Sequence, residues 1–132
     1  MTNTELEKRI LSTNCAGLIA ILYEALINNF YNSIEAIEEE DHPKLNELTN
    51  HSRAILTELL VQFNGKDRIS KDIREINLYI NNEITEGEYK KDKINYENCI
   101  KVTTPILEAF KELEIKETPK TVAGLTYGKA NL

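Results

Sequence analysis

LIAILYEALINNFYNSIEAI, residues 18–37, is the stretch that predicts the central helix of this chain. At about 100° per residue, one face of that helix collects its larger apolar side chains: Leu18, Leu22, Leu26, Phe30, Ile34 and Ile37. With Ile19, Tyr23, Ile27 and Tyr31 beside them, the apolar arc reaches roughly 240°, much wider than the stripe of a typical surface helix. We therefore expect this helix in the middle of the molecule, with part of its apolar surplus covered by something other than the rest of the chain.

The same stretch does not predict a membrane span. A spanning helix needs about 20 predominantly apolar residues with few or no charges, and this run is interrupted by Glu24, Asn28, Asn29, Asn32 and Glu35. The first ten residues, MTNTELEKRI, lack the basic-then-apolar pattern of a signal peptide. We therefore expect no membrane insertion and a cytoplasmic location.

The composition is that of one soluble domain. The chain has 132 residues, of which 41% are hydrophobic and 29% charged, enough to bury one core. Its formal net charge of −6 makes nucleic acid and anionic membrane poor partners.

Three further amphipathic stretches follow the central one, each with an apolar residue every three or four positions. The predicted helices cover residues 15–38, 42–63, 69–86 and 91–113. Asp41 and Pro43 suit the start of the second helix. Gly65 and Gly87 are expected to end the second and third helices, with a positive φ expected at Gly65.

This pattern predicts an all-α protein, an antiparallel four-helix bundle over residues 1–113. A short cap segment, residues 1–14, precedes the bundle. Residues 114–132 carry Pro119, Gly124 and Gly128 without a helical period, which predicts a flexible or extended tail.

The sequence contains no recognisable catalytic or metal-binding pattern. Di-iron bundles use Glu-x-x-His pairs, but the two histidines, His42 and His51, do not follow a glutamate at that spacing. A phosphate-binding glycine loop and a nucleophile constellation are also missing. We therefore expect neither enzyme activity nor a metal or cofactor. One alternative is a histidine phosphotransfer domain using His51, because such domains are four-helix bundles with one exposed histidine.

Apolar residues outside the core stripes predict a partner surface if they are contiguous. They are Ile21, Tyr23, Ile27, Tyr31, Val61, Leu78 and Tyr79. Ile10 and Leu11 form a small apolar cluster before the central helix. That cluster fits a staple on the helix start, and it also fits a movable lid over a groove.

The order of these features resembles the flagellar export chaperone family FliS. The resemblance spans roughly residues 10–113 and rests on the order and spacing of several short features. These are Leu11–Cys15 at the cap, the pair Leu22-Tyr23, Glu35-Ala36-Ile37 before the acidic run 38–41, Asn46 to Ser52, Tyr79 in the third helix and Phe110 in the fourth.

The resemblance implies a function. Such proteins bind the disordered C-terminal segment of newly made flagellin, keep it from polymerising in the cytoplasm and hand it to the flagellar type III export gate. A non-enzymatic adaptor, or a bundle that pairs with itself as a homodimer, is the competing interpretation of the spare apolar surface.

Overall fold

The structure is a computed structural model that describes residues 4–6 and 15–116 of the chain. Four long helices fill the second range: α1 (Cys15–Glu38), α2 (His42–Gln62), α3 (Arg68–Lys90) and α4 (Lys93–Lys116). Residues 4–6 are also helical, and the described residues contain no strand. The prediction of an all-α helical bundle is confirmed. The predicted cap segment and tail fall largely outside the described residues, and α4 runs three residues past the predicted helix end at 113.

The chain divides into two compact units, Leu22–Pro105 and the combination of Met1–Ile21 with Ile106–Leu132. In the second unit, Ala16, Ile19 and Ala20 near the start of α1 are buried, whereas Leu113 and Ile115 near the end of α4 are exposed. The first unit contains all of α2 and α3 and most of α1 and α4.

Within Leu22–Pro105, neighbouring helices run antiparallel, and polar pairs connect them along their length. The pairs are Asn29–His51 between α1 and α2, Asn46–Glu88 between α2 and α3, Asn95–Glu86 between α4 and α3, and Lys93–Glu38 between α4 and α1. Each helix of this unit therefore lies beside two others, as in an up-and-down bundle.

Tyr96 lies at the centre of the core of this unit. Its ring packs against Phe30 at a centroid distance of 6.5 Å. Its hydroxyl lies 3.2 Å from Thr49 Oγ1 and donates to the carbonyl of Ile84 at 3.4 Å. All four side chains are almost completely inaccessible to solvent, and this burial raises the pKa of the Tyr96 hydroxyl. One aromatic residue of α4 therefore joins the other three helices of the core.

More residues are buried in α1 than in any of the other three helices, as expected. Its buried face is rotated from the predicted stripe, however. Tyr23, Leu26 and Phe30 are fully buried, while Leu22 and Ile34 are only partly so. The small residues Ser33 and Ala36 continue the buried face towards the end of the helix.

The beginnings of α2 and α3 follow ordinary capping chemistry. Asp41 Oδ1 accepts from the backbone N–H of Lys44 at 3.1 Å, and Pro43 lies in the first turn of α2, as predicted. Asp67 caps α3 by accepting from the Ser70 N–H at 3.0 Å and from its hydroxyl at 2.8 Å.

The two glycines predicted to end helices do not do so. α2 ends at Gln62 with Phe63 as its cap, and Gly65 has no positive φ. Gly87 lies inside α3, which continues to Lys90 and ends at a left-handed Lys91 with φ of 57°.

Gly87 is needed for packing instead. A Cβ at this position would lie 2.8 Å from the ring of Tyr96 and 2.9 Å from Cβ of Asn95, closer than real Cβ atoms approach. The absent side chain therefore lets α3 approach α4 closely.

Candidate functional site

A groove of about 410 Å³ runs between α2 and α3. It lies on the side of α3 away from the buried isoleucines Ile73, Ile80 and Ile84. We call it the α2–α3 groove. Three leucines, Leu56, Leu60 and Leu78, and several polar side chains line it. Leu60 and Leu78 expose 41% and 63% of their surface, so the groove presents apolar surface to solvent.

The amphipathic pattern of α3 explains why Leu78 faces outwards. Ile73, Ile80 and Ile84 lie on one face and are buried in the core. Leu78 lies two positions before Ile80, roughly 200° away around the helix. The side chain is therefore left at the surface facing α2 instead of the core.

Arg74 forms one end of the groove. Its Nη1 donates to the carbonyls of Phe63 and Gly65 at 2.8 and 2.7 Å. These two carbonyls follow the last turn of α2, so the guanidinium ties the α2–α3 connection to the first half of α3. This arrangement fixes the width of the groove at that end.

Arg53 lies towards the opposite end. Its Nη2 donates to Thr85 Oγ1 at 2.9 Å, and the Thr85 hydroxyl donates in turn to the Asn81 carbonyl at 2.7 Å. A longer contact of 3.5 Å joins Arg53 Nη1 to Asn50. Long polar side chains therefore bridge α2 and α3 at this end of the groove.

Asn77 lies in the wall of the groove and is 3% exposed. Its Nδ2 donates to the Leu56 carbonyl at 3.4 Å, while its Oδ1 is buried without a hydrogen-bond partner in the described part of the chain. Native structures rarely leave a buried acceptor unsatisfied. Asn77 therefore joins α3 to the backbone of α2 beside the groove.

The chain matches the family model of the flagellar protein FliS over residues 1–117. This match covers most of the sequence. The chain belongs to the FliS family. The resemblance found in the sequence is thereby confirmed, and membership supports a role as a flagellar export chaperone. A search of curated proteins finds no match.

In this member of the FliS family, the residues predicted to bind a partner differ in exposure. Leu78 lines the α2–α3 groove. Tyr31 and Val61 are both 58% exposed but do not line it, and Ile21 is half-buried. Tyr79 is exposed on another side of α3, where desolvation and then the charge of Glu83 raise the pKa of its hydroxyl.

Two predicted surface residues belong to the core instead. Tyr23 is completely buried and Ile27 is 9% exposed, so the prediction that they lie outside the core is wrong. The reason is the rotation of α1, which turns the face around Tyr23 and Phe30 inwards. Ile10 and Leu11 lie outside the described residues.

The sequence patterns did not predict the polar side chains that line the groove or one of its leucines, Leu60. Leu60, Asn77 and the two arginines are not among the residues that the sequence analysis predicts to bind a partner. The sequence did contain one signal for the groove. Arg74 and Leu78 are four residues apart and therefore share one side of α3, and Leu60 lies near the end of α2, just before the α2–α3 connection. Two off-stripe leucines on consecutive helices predict a shared groove more strongly than either one alone.

In the described residues, His51 is not part of a catalytic arrangement. His51 Nδ1 lies 3.0 Å from Asn29 Nδ2, a contact that joins α2 to α1. Within the described ranges, no three acidic, histidine or cysteine side chains gather closely enough to hold a metal ion. None of the helices described is long and apolar enough to cross a membrane.

Proposed function

We propose that this chain is a cytoplasmic chaperone that binds the disordered C-terminal segment of flagellin. It keeps that segment from polymerising and delivers it to the flagellar type III export gate. Family membership supports the chaperone role, and the α2–α3 groove is the observation that carries the binding proposal. The chain acts without catalysis, since its family is a chaperone family and the groove supplies binding surface only.

The energetics fit a client that orders as it binds. A disordered segment loses conformational entropy when it docks, so it needs apolar contacts to offset that loss. Burying one leucine-sized side chain contributes roughly 1.5–3 kcal/mol before ordering costs. Leu60 and Leu78 together therefore supply an anchor point for part of a long client segment.

The test is a titration of a fluorescently labelled flagellin C-terminal segment with the chain, read by anisotropy. Leu78→Asp places a charge in the groove at an exposed position, so the fold should be retained, with a stability change near 0.5 kcal/mol or less. We expect its affinity to fall tenfold or more, which corresponds to about 1.4 kcal/mol.

Tyr89→Asp is the matched control, because Tyr89 is on the same helix, 85% exposed and not part of the groove. Its affinity should equal that of the unmodified chain. If Leu78→Asp binds as tightly as Tyr89→Asp, the client does not use this groove. If the unmodified chain does not bind flagellin or slow its polymerisation, the flagellin proposal is wrong and an adaptor role replaces it.

The homodimer prediction is tested in the same samples. Light scattering before and after addition of the flagellin segment gives the mass of the free chain and of the complex. Two copies paired through the α2–α3 groove would separate when the client binds.

A further inference from the structure

The α2–α3 groove is positively charged in a negatively charged protein. Two arginines and no carboxylate line it, although the chain carries a net charge of −6. An adjoining depression at the Arg74 end adds Lys71 and Glu75, which cancel one another. The local charge of the groove is therefore opposite in sign to that of the whole chain.

Within residues 15–116, neither arginine forms a salt bridge with a carboxylate. In the described part of the chain, Arg53 and Arg74 donate to neutral hydroxyl, amide and carbonyl oxygens. Arg74 also attracts the Asp67 carboxylate at longer range, which is the smallest of the effects that lower the pKa of Asp67. A guanidinium has five N–H donors in a fork that matches a carboxylate, so Arg53 in particular retains donors for a bound acidic group.

The positions of the two arginines define a spacing. Arg53 and Leu60 are seven residues apart on α2, about 10 Å along the helix at 1.5 Å per residue. Arg74 lies beyond Leu60, at the carbonyls that follow α2. The leucines therefore lie between two positive ends that are separated by two to three helical turns.

We propose that the α2–α3 groove selects amphipathic segments that carry an acidic side chain beside the apolar anchor, with its carboxylate bound by Arg53. This selectivity rests on the proposed function, since it names the kind of client segment that the groove accepts. A second acidic side chain two to three turns away would meet Arg74. Segments with the same leucines and basic neighbours are rejected by the same charges.

The experiment uses two labelled amphipathic peptides with identical leucines, one with glutamate beside the anchors and the other with glutamine. We expect the glutamate peptide to bind the unmodified chain at least fivefold more tightly at low salt. The advantage should shrink as salt rises, because the groove is open to solvent.

Arg53→Gln should abolish the difference between the two peptides, so the readout is the ratio of the two affinities measured on the same variant. Arg53→Lys retains the charge and should preserve part of the difference. Arg68→Gln is the matched control, since the Arg68 side chain is 89% exposed and not part of the groove, and it should preserve the full difference.

Equal affinities for the two peptides, or a difference that survives Arg53→Gln, would overturn the proposal. So would failure of both peptides to bind. The labelled flagellin segment is titrated in parallel. If it binds while the two peptides are not distinguished, only the selectivity is wrong; if it fails to bind while they are distinguished, the flagellin client is wrong and the selectivity stands.

Discussion

α3 makes two helix contacts that differ in kind. Towards α4 it is closed, because Gly87 brings the backbone against Tyr96 and Asn95. Towards α2 it leaves a surface groove of about 410 Å³, and Arg53 and Arg74 reach across between the two helices. The same helix therefore contributes one face to the core and another to a surface that can accept a partner.

The difference shows how the residues at a helix contact decide whether that contact stabilises the core or presents a binding surface. Because Gly87 has no side chain, α3 packs closely against α4 and leaves no room for a groove there. The buried Tyr96 gains packing contacts from this close approach. At the contact with α2, Arg53 and Arg74 donate to hydroxyl and carbonyl oxygens across the two helices. Leucines left in that gap are available to another chain.

The largest effect is expected on the closed side, at Tyr96. Tyr96→Ala removes the ring that packs on Phe30 and the hydroxyl that contacts Thr49, and it should cost about 3–5 kcal/mol of unfolding free energy. Chemical denaturation measures this loss. The exposed Tyr89→Ala should stay within about 0.5 kcal/mol of the unmodified chain, and a similar loss in both variants would contradict the closed packing.

A smaller loss is expected for Gly87→Ala. Alanine is favoured over glycine in a helix by up to about 1 kcal/mol, so an uncrowded position would become more stable. Because the new Cβ would lie under 3.0 Å from Tyr96 and Asn95, we expect destabilisation, with an overpacking cost of about 1–3 kcal/mol.

Asn82→Ala, at an exposed position of the same helix, is the control for helix propensity. A rise in the melting temperature of Gly87→Ala would show that α3 and α4 are not as close as the structure places them.

The smallest effect concerns Asp67, at the groove end of α3. Hydrogen bonds from the backbone N–H and hydroxyl of Ser70 hold the pKa of the Asp67 carboxyl below its usual range. A carboxylate with a lowered folded-state pKa stabilises the fold above its unfolded pKa, about 3.9, and this contribution is lost as the pH falls through the folded value.

Asp67→Ala should therefore lower the melting temperature at pH 7, and the difference from the unmodified chain should shrink as the pH falls below about 4. Thermal melts across this range measure it. A difference that is independent of pH would mean that the charge of Asp67 does not contribute to the cap.

Much of the fold followed from periodicity. Ile73, Ile80 and Ile84 of α3 mark its core face because residues three and four apart share one side of a helix, whereas Ile69 at the start of the helix is exposed. Asp41 and Pro43 marked the start of α2 because their roles depend only on nearby backbone groups. Gly87 could not be assigned this way, since a glycine late in a helix pattern fits both a helix end and a close helix crossing.

The site was predictable only in part, for a related reason. Leu78 stood out because it lies opposite its own stripe. Tyr23 and Ile27 did not, because a helix with a very wide apolar arc does not indicate which part of the arc faces the core. The role of Arg74 depends on carbonyls at Phe63 and Gly65, eleven and nine residues earlier, and no local pattern indicates such a contact.

The most direct test of the central claim, that the α2–α3 groove receives the client, is methyl NMR of the chain with and without the flagellin C-terminal segment. We expect the methyl signals of Leu60 and Leu78 to shift on binding, while those of Val61, exposed but outside the groove, and Ile84, in the core, stay in place. Shifts at Val61 with none at Leu60 and Leu78 would contradict it.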